Sequence, residues 1–187
     1  MHTWQEFSAS RPDLAKAGKR LLYQYSVGYA FLATVRKDGG PRLHPVCPAL
    51  TAGHLYVFIE SASPKLADLL RDRRYALHTF PPKLGDEEFY CAGQAEPVDD
   101  PQQRASVVAS YHRHPHADER LFELKLERIL HTTWENWATP ASRPHRTVWR
   151  AVGAQARSSR PRPRPASAPP KVASTRSGRK SRKRTTG

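Results

Sequence analysis

The spacing of apolar residues predicts a helical segment at the start of the chain. Apolar positions recur there at the interval of an α-helix. They include Leu14, Leu21 and Leu22. Thr3 followed by Glu6 has the pattern of a helix capping box. The sequence therefore predicts an N-terminal helical cover within residues 1–28, formed over residues 3–25 by one helix or by two helices that break near Pro12.

After this segment the pattern changes to the alternation that is typical of β-strands. The stretch YAFLATVRKDGGPRLHPVCPAL predicts a strand, an Asp-Gly-Gly turn and a second strand, which together form a hairpin. Later strands are predicted in HLYVFIE, RYALHTF, EEFYCAGQAEPV and LFELKLERILHTTW, and RTVWRAV could close the sheet. Gly93 indicates a bulge or a close backbone approach.

Two short helices are predicted between these strands. One covers residues 64–72, and the other opens at Pro101 after a cap by Asp99 or Asp100 and runs to about Tyr111. The regular alternation of strands with long helices that marks a parallel sheet is missing.

The strand content predicts a mainly β fold of the α+β type. Six or seven strands, most of them joined as hairpins, favour a small antiparallel barrel. Pro41, Pro45 and Pro48 remove amide donors, so the strand PRLHPV must lie at an edge, at an opening or against a ligand. We therefore predict a split β-barrel domain over residues 29–152, with short flanking helices.

The net charge of +14 comes mainly from the end of the chain. Eleven Lys and Arg residues and no Asp or Glu follow residue 150, so the preceding part carries only about +3. Residues 153–187 are rich in Pro, Ser and Arg, and we predict a disordered tail. The barrel is therefore not expected to bind nucleic acid, whereas the tail could do so without sequence preference. A nucleic-acid-binding module remains an alternative to an enzyme.

Other sequence features narrow the classes further. The start MHTWQEFSAS lacks the pattern of a signal peptide, and no apolar run approaches the roughly 18 residues that cross a bilayer, so we expect a cytoplasmic protein without a membrane partner. Cys47 and Cys91 have no CxxC spacing and are expected to be reduced. The histidines of HRHPH, residues 112–116, favour a polar loop over a metal site.

The segment SPKLADLL has the residues of a helix start that binds an anion. Serine is favoured at the cap and proline at the first helical position, so Ser63 is the predicted N-cap, Pro64 follows it, and Lys65 lies in the first turn. Free amides and the helix dipole attract an anion there. A lysine in that turn is unfavourable by roughly a few tenths of a kcal/mol unless an anion lies beside it. The pattern predicts a phosphate site.

The preceding strand PRLHPV offers a polar surface near that helix. Alternation places Arg42, His44 and Val46 on one face, and Leu43, Pro45 and Cys47 on the other. The Arg42 and His44 side chains are then about 7 Å apart on one surface.

Together these segments resemble the pyridoxamine 5′-phosphate oxidase-like, FMN-binding split-barrel proteins. The resemblance covers about residues 25–100 and rests on FLATVRKDGGPRLHPV, GHLYVFIESASPKLADLLRDRRYALH and DEEFYCAGQAEPV. It implies a homodimer with FMN at the interface, and that Ser63 and Lys65 hold the phosphate. Glu88, five residues before Gly93, would come from the partner subunit. The strand along the flavin would be Arg42, Leu43, His44, Pro45 and Val46.

The three later tryptophans are Trp134, Trp137 and Trp149. Such residues are more often core or dimer contacts than ligand stackers, although a flavin ring is a large flat surface that aromatic side chains favour. Trp149 is the first candidate among them for a cofactor contact.

The resemblance implies a flavin-dependent oxidoreductase that acts on a small molecule. No Ser-His-Asp order, nucleotide glycine loop or zinc spacing can be assembled from the sequence, so the cofactor would carry the chemistry and catalytic side chains stay unassigned. The vitamin oxidases grip their substrate with an Arg-Leu-His-type segment, where this chain has ASRPHRTVWRA, which argues against pyridoxal phosphate production. A deazaflavin-dependent reductase and a flavin- or haem-binding protein without turnover remain alternatives.

Overall fold

The computed structural model describes residues 1–82, 86–112 and 114–152. Within them the chain forms four helices and eight strands. The helices are α1 (Trp4–Ser10), α2 (Pro12–Leu22), α3 (Pro64–Arg71) and α4 (Pro101–Ala109). The strands are β1 (Ala30–Val35), β2 (Pro41–Val46), β3 (Ala49–Thr51), β4 (His54–Ile59), β5 (Arg74–Thr79), β6 (Glu88–Pro97), β7 (Arg120–Glu135) and β8 (Arg143–Arg150).

The N-terminal segment forms two helices that break at Pro12, as predicted. The Thr3 side chain accepts from the Glu6 amide and the Glu6 side chain reaches back, which completes the capping box. Helix α2 lies directly on β6, because a Cβ atom at Gly18 would come within 2.5 Å of the Phe89 ring. The cover is therefore an integral part of the hydrophobic core.

The eight strands form one antiparallel sheet in which β2, β3 and β8 are edge strands. The pairing order is β2-β1-β5-β6-β7-β4-β3, and β8 also pairs with β7. The long strand β7 pairs with β4 along its first residues and with β8 from Arg128 onward, so that edge of the sheet forks. In the part of the chain that the structure describes, the barrel is not closed. This confirms the prediction of a split barrel and places β2 at an edge.

The prediction of a bulge or a close backbone approach at Gly93 is confirmed, because Glu127 of β7 is an extra residue opposite Gly93. The register with β7 shifts between Ala92 and Gly93, and a Cβ atom at Gly93 would lie only 1.9 Å from the backbone oxygen of Lys125. Only glycine permits this approach of two backbones.

The two faces of the sheet differ in their cover. One face carries the core, in which Leu32, Leu77, Phe89, Leu126 and Ile129 are fully buried. The opposite face carries a row of paired, mostly half-buried side chains that we call the outer row. The outer row consists of Phe31, His78, Tyr90, Leu130 and Val148.

The remaining predictions divide between confirmed and untested. Asp100 caps α4 by accepting from the Gln102 amide, whereas the exposed Asp99 pairs with Arg120. None of the described helices is long and apolar enough to cross a membrane. The predicted tail, residues 153–187, lies outside the described residues.

Candidate functional site

Helix α3 begins as the sequence predicts. Ser63 is the N-cap and Pro64 the first helical residue. The Ser63 hydroxyl makes no capping hydrogen bond, and the Leu66 amide donates to the Ser63 carbonyl at 2.9 Å. Among the described residues, the Ser63 hydroxyl and the Lys65 amide are thus left as donors at this helix start.

Lys65 is half-buried and lies near a second cation. Burial lowers the pKa of its ammonium group, and the Arg42 charge lowers that pKa further, while Glu60 acts in the opposite direction. Two positive side chains beside α3 therefore lie within electrostatic range of each other. Such a pair favours a bound anion, because an anion offsets both the burial and the repulsion.

Arg42 is held by a buried carboxylate. Its Nε donates to Oδ2 of Asp68 at 2.7 Å, and Asp68 is only 3% exposed. Thr34 and Arg71 donate to the same carboxylate at 2.9 Å and 3.3 Å. Burial would raise the pKa of Asp68, but the hydrogen bonds from these three residues outweigh it, so the pKa lies below its usual value.

An open groove runs along α3 from Pro64 to Arg71, beside the β1–β2 hairpin, and neither Ser63 nor Lys65 lines it. Its volume is about 490 Å³. Cationic side chains of Arg36, Lys37, Arg42 and Arg71 line it together with the carboxylates of Asp38 and Asp68. The groove therefore has an excess of positive charge.

The rest of β2 has the predicted alternation. His44 is half-buried on the side of Arg42, whereas Leu43 on the other face is 62% exposed. Pro45 is exposed and Val46 is buried in the core. The strand therefore offers its Leu43 and Pro45 side chains as an exposed apolar surface at the edge of the sheet.

A second, smaller groove lies on the outer face of β5, β6 and β7. Its volume is about 150 Å³. It is lined by His78, Glu88, Tyr90, Arg128, Leu130 and Thr132. Arg128 Nε and the hydroxyl of Thr132 are buried there without a hydrogen-bond partner in the described structure. Buried polar atoms of this kind usually have a partner, so this groove is suited to a polar ligand.

Two predicted site residues, Glu88 and Trp149, lie away from Arg42 and Lys65 within one chain. Glu88 lies in the second groove, and β1 and β5 separate its strand from β2. Trp149 packs on Phe7 with ring centres 5.0 Å apart and on His2 at 5.6 Å, and it lines neither groove. Within a single subunit Trp149 is therefore a partly buried residue that packs against the core.

Sequence reasoning missed Asp68, Arg128 and Thr132. The carboxylate in SPKLADLL has the appearance of an ordinary helix residue, and only the packing of α3 on β1 buries it. Arg128 and Thr132 follow the alternation of β7, but the bulge at Gly93 decides which face they share. Among the described residues there is no group of three or more metal ligands.

An antiparallel barrel that stays open, with β2 as an edge strand, defines a split-barrel protein. The chain belongs to the pyridoxamine 5′-phosphate oxidase family, whose model matches residues 23–158. No curated protein matches the chain.

Solved structures with the same fold include three proteins of low sequence identity to this chain. The chain is similar to a haem-binding protein from Mycobacterium smegmatis with a TM-score of 0.53 and 18% identity, over 70% of this chain and 57% of that one. It is similar to the haem storage protein HutZ from Vibrio cholerae with a TM-score of 0.50 and 15% identity, over 61% and 90%. It is also similar to ChuZ from Campylobacter jejuni, with a TM-score of 0.54 and 11% identity, over 64% of this chain and 56% of that one. These likenesses show the fold, and the chain spans little more than half of the first protein.

Proposed function

We propose that this protein is an FMN-binding oxidoreductase that acts on a small molecule in the cytoplasm. The observation that carries the proposal is that Arg42 on the edge strand β2 donates to Asp68 of α3, whose first turn holds Lys65 within range of the Arg42 charge. Membership of the pyridoxamine 5′-phosphate oxidase family supports FMN as the cofactor.

The residues present fit the phosphate of FMN. Lys65 and Arg42 supply positive charge, and the Ser63 hydroxyl and the Lys65 amide supply donors without a partner in the described structure. Charge-assisted hydrogen bonds of this type contribute roughly 1.5 to 3 kcal/mol each.

The edge strand suits the flavin ring. Leu43, His44, Pro45 and Val46 lie along β2, where Pro45 offers no amide and so cannot recruit another strand. Bound FMN would supply hydride transfer at its N5 atom. The residues of this chain would hold the phosphate, orient the ring and exclude water from it.

A homodimer would complete the site. The outer row presents Val148, 43% exposed, and a second copy of the chain would cover that apolar face. The same contact would bring the second groove to the cofactor, with Glu88 of the partner subunit facing it. Arg128 Nε and the Thr132 hydroxyl, which lack partners in one chain, would then have a polar ligand.

Two alternatives share the site. A deazaflavin cofactor would need the same phosphate contacts. Haem binding without turnover is favoured by the likeness to haem-binding and haem storage proteins. Haem propionates are anions that Lys65 and Arg42 could also bind.

Cofactor titrations separate these proposals. Absorbance of the purified protein, followed by fluorescence or absorbance titration with FMN, deazaflavin cofactor and haem, shows which one binds. We expect FMN to bind most tightly and the double variant Arg42→Ala/Lys65→Ala to lose several kcal/mol of that affinity.

Arg74→Ala/Lys16→Ala removes two exposed cations elsewhere and serves as the control. Equal affinity of FMN for the wild type and the Arg42→Ala/Lys65→Ala variant would refute the phosphate site.

A further inference from the structure

Asp68 joins helix α3, which begins at the proposed phosphate site, to strands β1 and β2. Its carboxylate is 3% exposed. Oδ2 accepts from Thr34 Oγ1 at 2.9 Å and from Arg42 Nε at 2.7 Å, and Oδ1 accepts from Arg71 at 3.3 Å. A buried carboxylate is strongly unfavourable without such partners. The fold therefore fixes both the carboxylate and the guanidinium that pairs with it.

The pairing uses only one edge of the Arg42 guanidinium. Asp68 accepts the hydrogen bond from Nε of Arg42. The described residues offer no hydrogen-bond partner to the two terminal nitrogens of the guanidinium. A guanidinium is planar, so a partner that holds Nε also sets the direction of those nitrogens. Their N–H groups are the fork that recognises phosphate oxygens.

We propose that Asp68 is a positioning residue that directs the terminal nitrogens of Arg42 at the ligand phosphate. It thereby makes this half of the site select a phosphorylated flavin over the dephosphorylated form. The inference rests on the proposed function, because it requires a flavin phosphate at Ser63 and Lys65.

If Asp68 acted only through its charge, its removal would have the opposite effect on FMN affinity. If Asp68 only neutralised Arg42, its removal would raise the positive potential and FMN would bind more tightly. If Asp68 directs Arg42, its removal lets the guanidinium turn and the phosphate contact weakens. The sign of the change separates the two roles.

The test compares FMN with riboflavin, which lacks the phosphate. The quantity measured is the dissociation constant of riboflavin divided by that of FMN, obtained by fluorescence titration of the full chain. In Asp68→Asn the amide oxygen still accepts one hydrogen bond while the charge is lost. We expect this ratio to fall about tenfold, with riboflavin affinity unchanged. A role limited to stability would change both constants together.

Asp72→Asn is the matched control, because Asp72 follows the same helix but pairs with Arg74. Its ratio should equal that of the wild type. An unchanged or higher ratio in Asp68→Asn overturns the inference while leaving the phosphate site intact. A wild-type ratio near one overturns the phosphate site and the inference together.

Thr34→Val provides a second test that changes no charge. It removes the 2.9 Å hydrogen bond that fixes Asp68 and nearly keeps the side-chain shape. We expect the ratio to fall in the same direction, by less than in Asp68→Asn. If Asp68→Asn does not fold, an unchanged ratio in Thr34→Val overturns the inference.

Discussion

Lys65 is placed where a lysine without a ligand is disfavoured for three reasons. It is half-buried, it lies near the Arg42 charge, and it occupies the first turn of a helix, where the dipole is positive. Each of these effects lowers the stability of the charged side chain. A bound anion reverses all three, which makes Lys65 the most informative single residue of the site.

Substitution of Lys65 separates binding from stability. We expect Lys65→Ala to weaken FMN binding at least about tenfold, because a charge-assisted contact is lost. The cofactor-free protein should keep or slightly raise its Tm, since an unfavourable charge has been removed. Fluorescence titration and thermal unfolding measure the two effects. Lys16→Ala on the exposed side of α2 is the control, and an unaltered FMN affinity in Lys65→Ala would contradict the assignment.

Asp68 gives the stability of the protein a defined pH dependence. Its pKa in the folded state lies below the usual 3.8 because burial, which raises it, is outweighed by hydrogen bonds from Arg42, Thr34 and Arg71. A lowered pKa contributes stability above the unfolded pKa and loses it as the pH falls through the folded value. The free energy of unfolding should therefore fall below about pH 5.

In Asp68→Asn the free energy of unfolding should fall less steeply at acid pH than in the wild type. Urea unfolding of the cofactor-free protein between about pH 6 and pH 2 measures the slope. The control is Asp99→Asn, which replaces a carboxylate whose side chain is 75% exposed. Parallel curves for the wild type and Asp68→Asn would show that Asp68 does not carry this dependence.

Among the helices and strands, the features predicted correctly are those that a few neighbouring residues determine. The capping box at Thr3, the proline at the start of α3 and the Asp-Gly-Gly turn act within a few residues, and all of them occur as expected. The short strand β3 and the fork of β7 between β4 and β8 were not predicted. Both depend on pairing between distant segments, which no local pattern encodes.

The close approach of Gly93 in β6 to β7, opposite the bulge, can be tested by adding one carbon atom. Gly93→Ala would place a Cβ 1.9 Å from the Lys125 backbone oxygen, and neither backbone can move without breaking the β6–β7 pairing. We expect a loss of about 3 kcal/mol or more in the free energy of unfolding, measured by urea.

Gly40→Ala is the matched control, because its Cβ would meet only the flexible side chains of Asp38 and Arg36. It should change stability by less than about 1 kcal/mol. Similar losses for the two variants would show that the approach at Gly93 is not the cause.

At the scale of the whole molecule, the sequence predicted one half of the candidate site better than the other. Ser63, Lys65 and Arg42 are close in the chain to the turns and caps that place them. Trp149 packs against the core of its own subunit, and the second groove contains polar atoms that sequence alone could not locate. Whether the polar atoms of the second groove bind a ligand depends on the outer row, a surface that a single chain leaves open.

The proposed dimer makes that surface testable. Val148→Glu places a charge in the outer row, and we expect it to shift sedimentation from dimer to monomer and to weaken FMN binding. Leu70→Glu changes a residue of similar exposure on α3, outside the outer row, and should leave the dimer intact. A Val148→Glu protein that sediments as the wild type does would refute this face as the interface.

The basic tail is the feature that could give the protein a second partner. It holds eleven cations without acidic residues, so any affinity for nucleic acid should be electrostatic, independent of sequence and steeply reduced by salt. Truncation after Val152 should abolish that affinity while FMN binding and the free energy of unfolding stay within error of the wild type. Fluorescence anisotropy with a random DNA duplex at two salt concentrations measures the first effect. Loss of folding on truncation would mean that the domain extends beyond residue 152, since the core described above would then need residues of the tail.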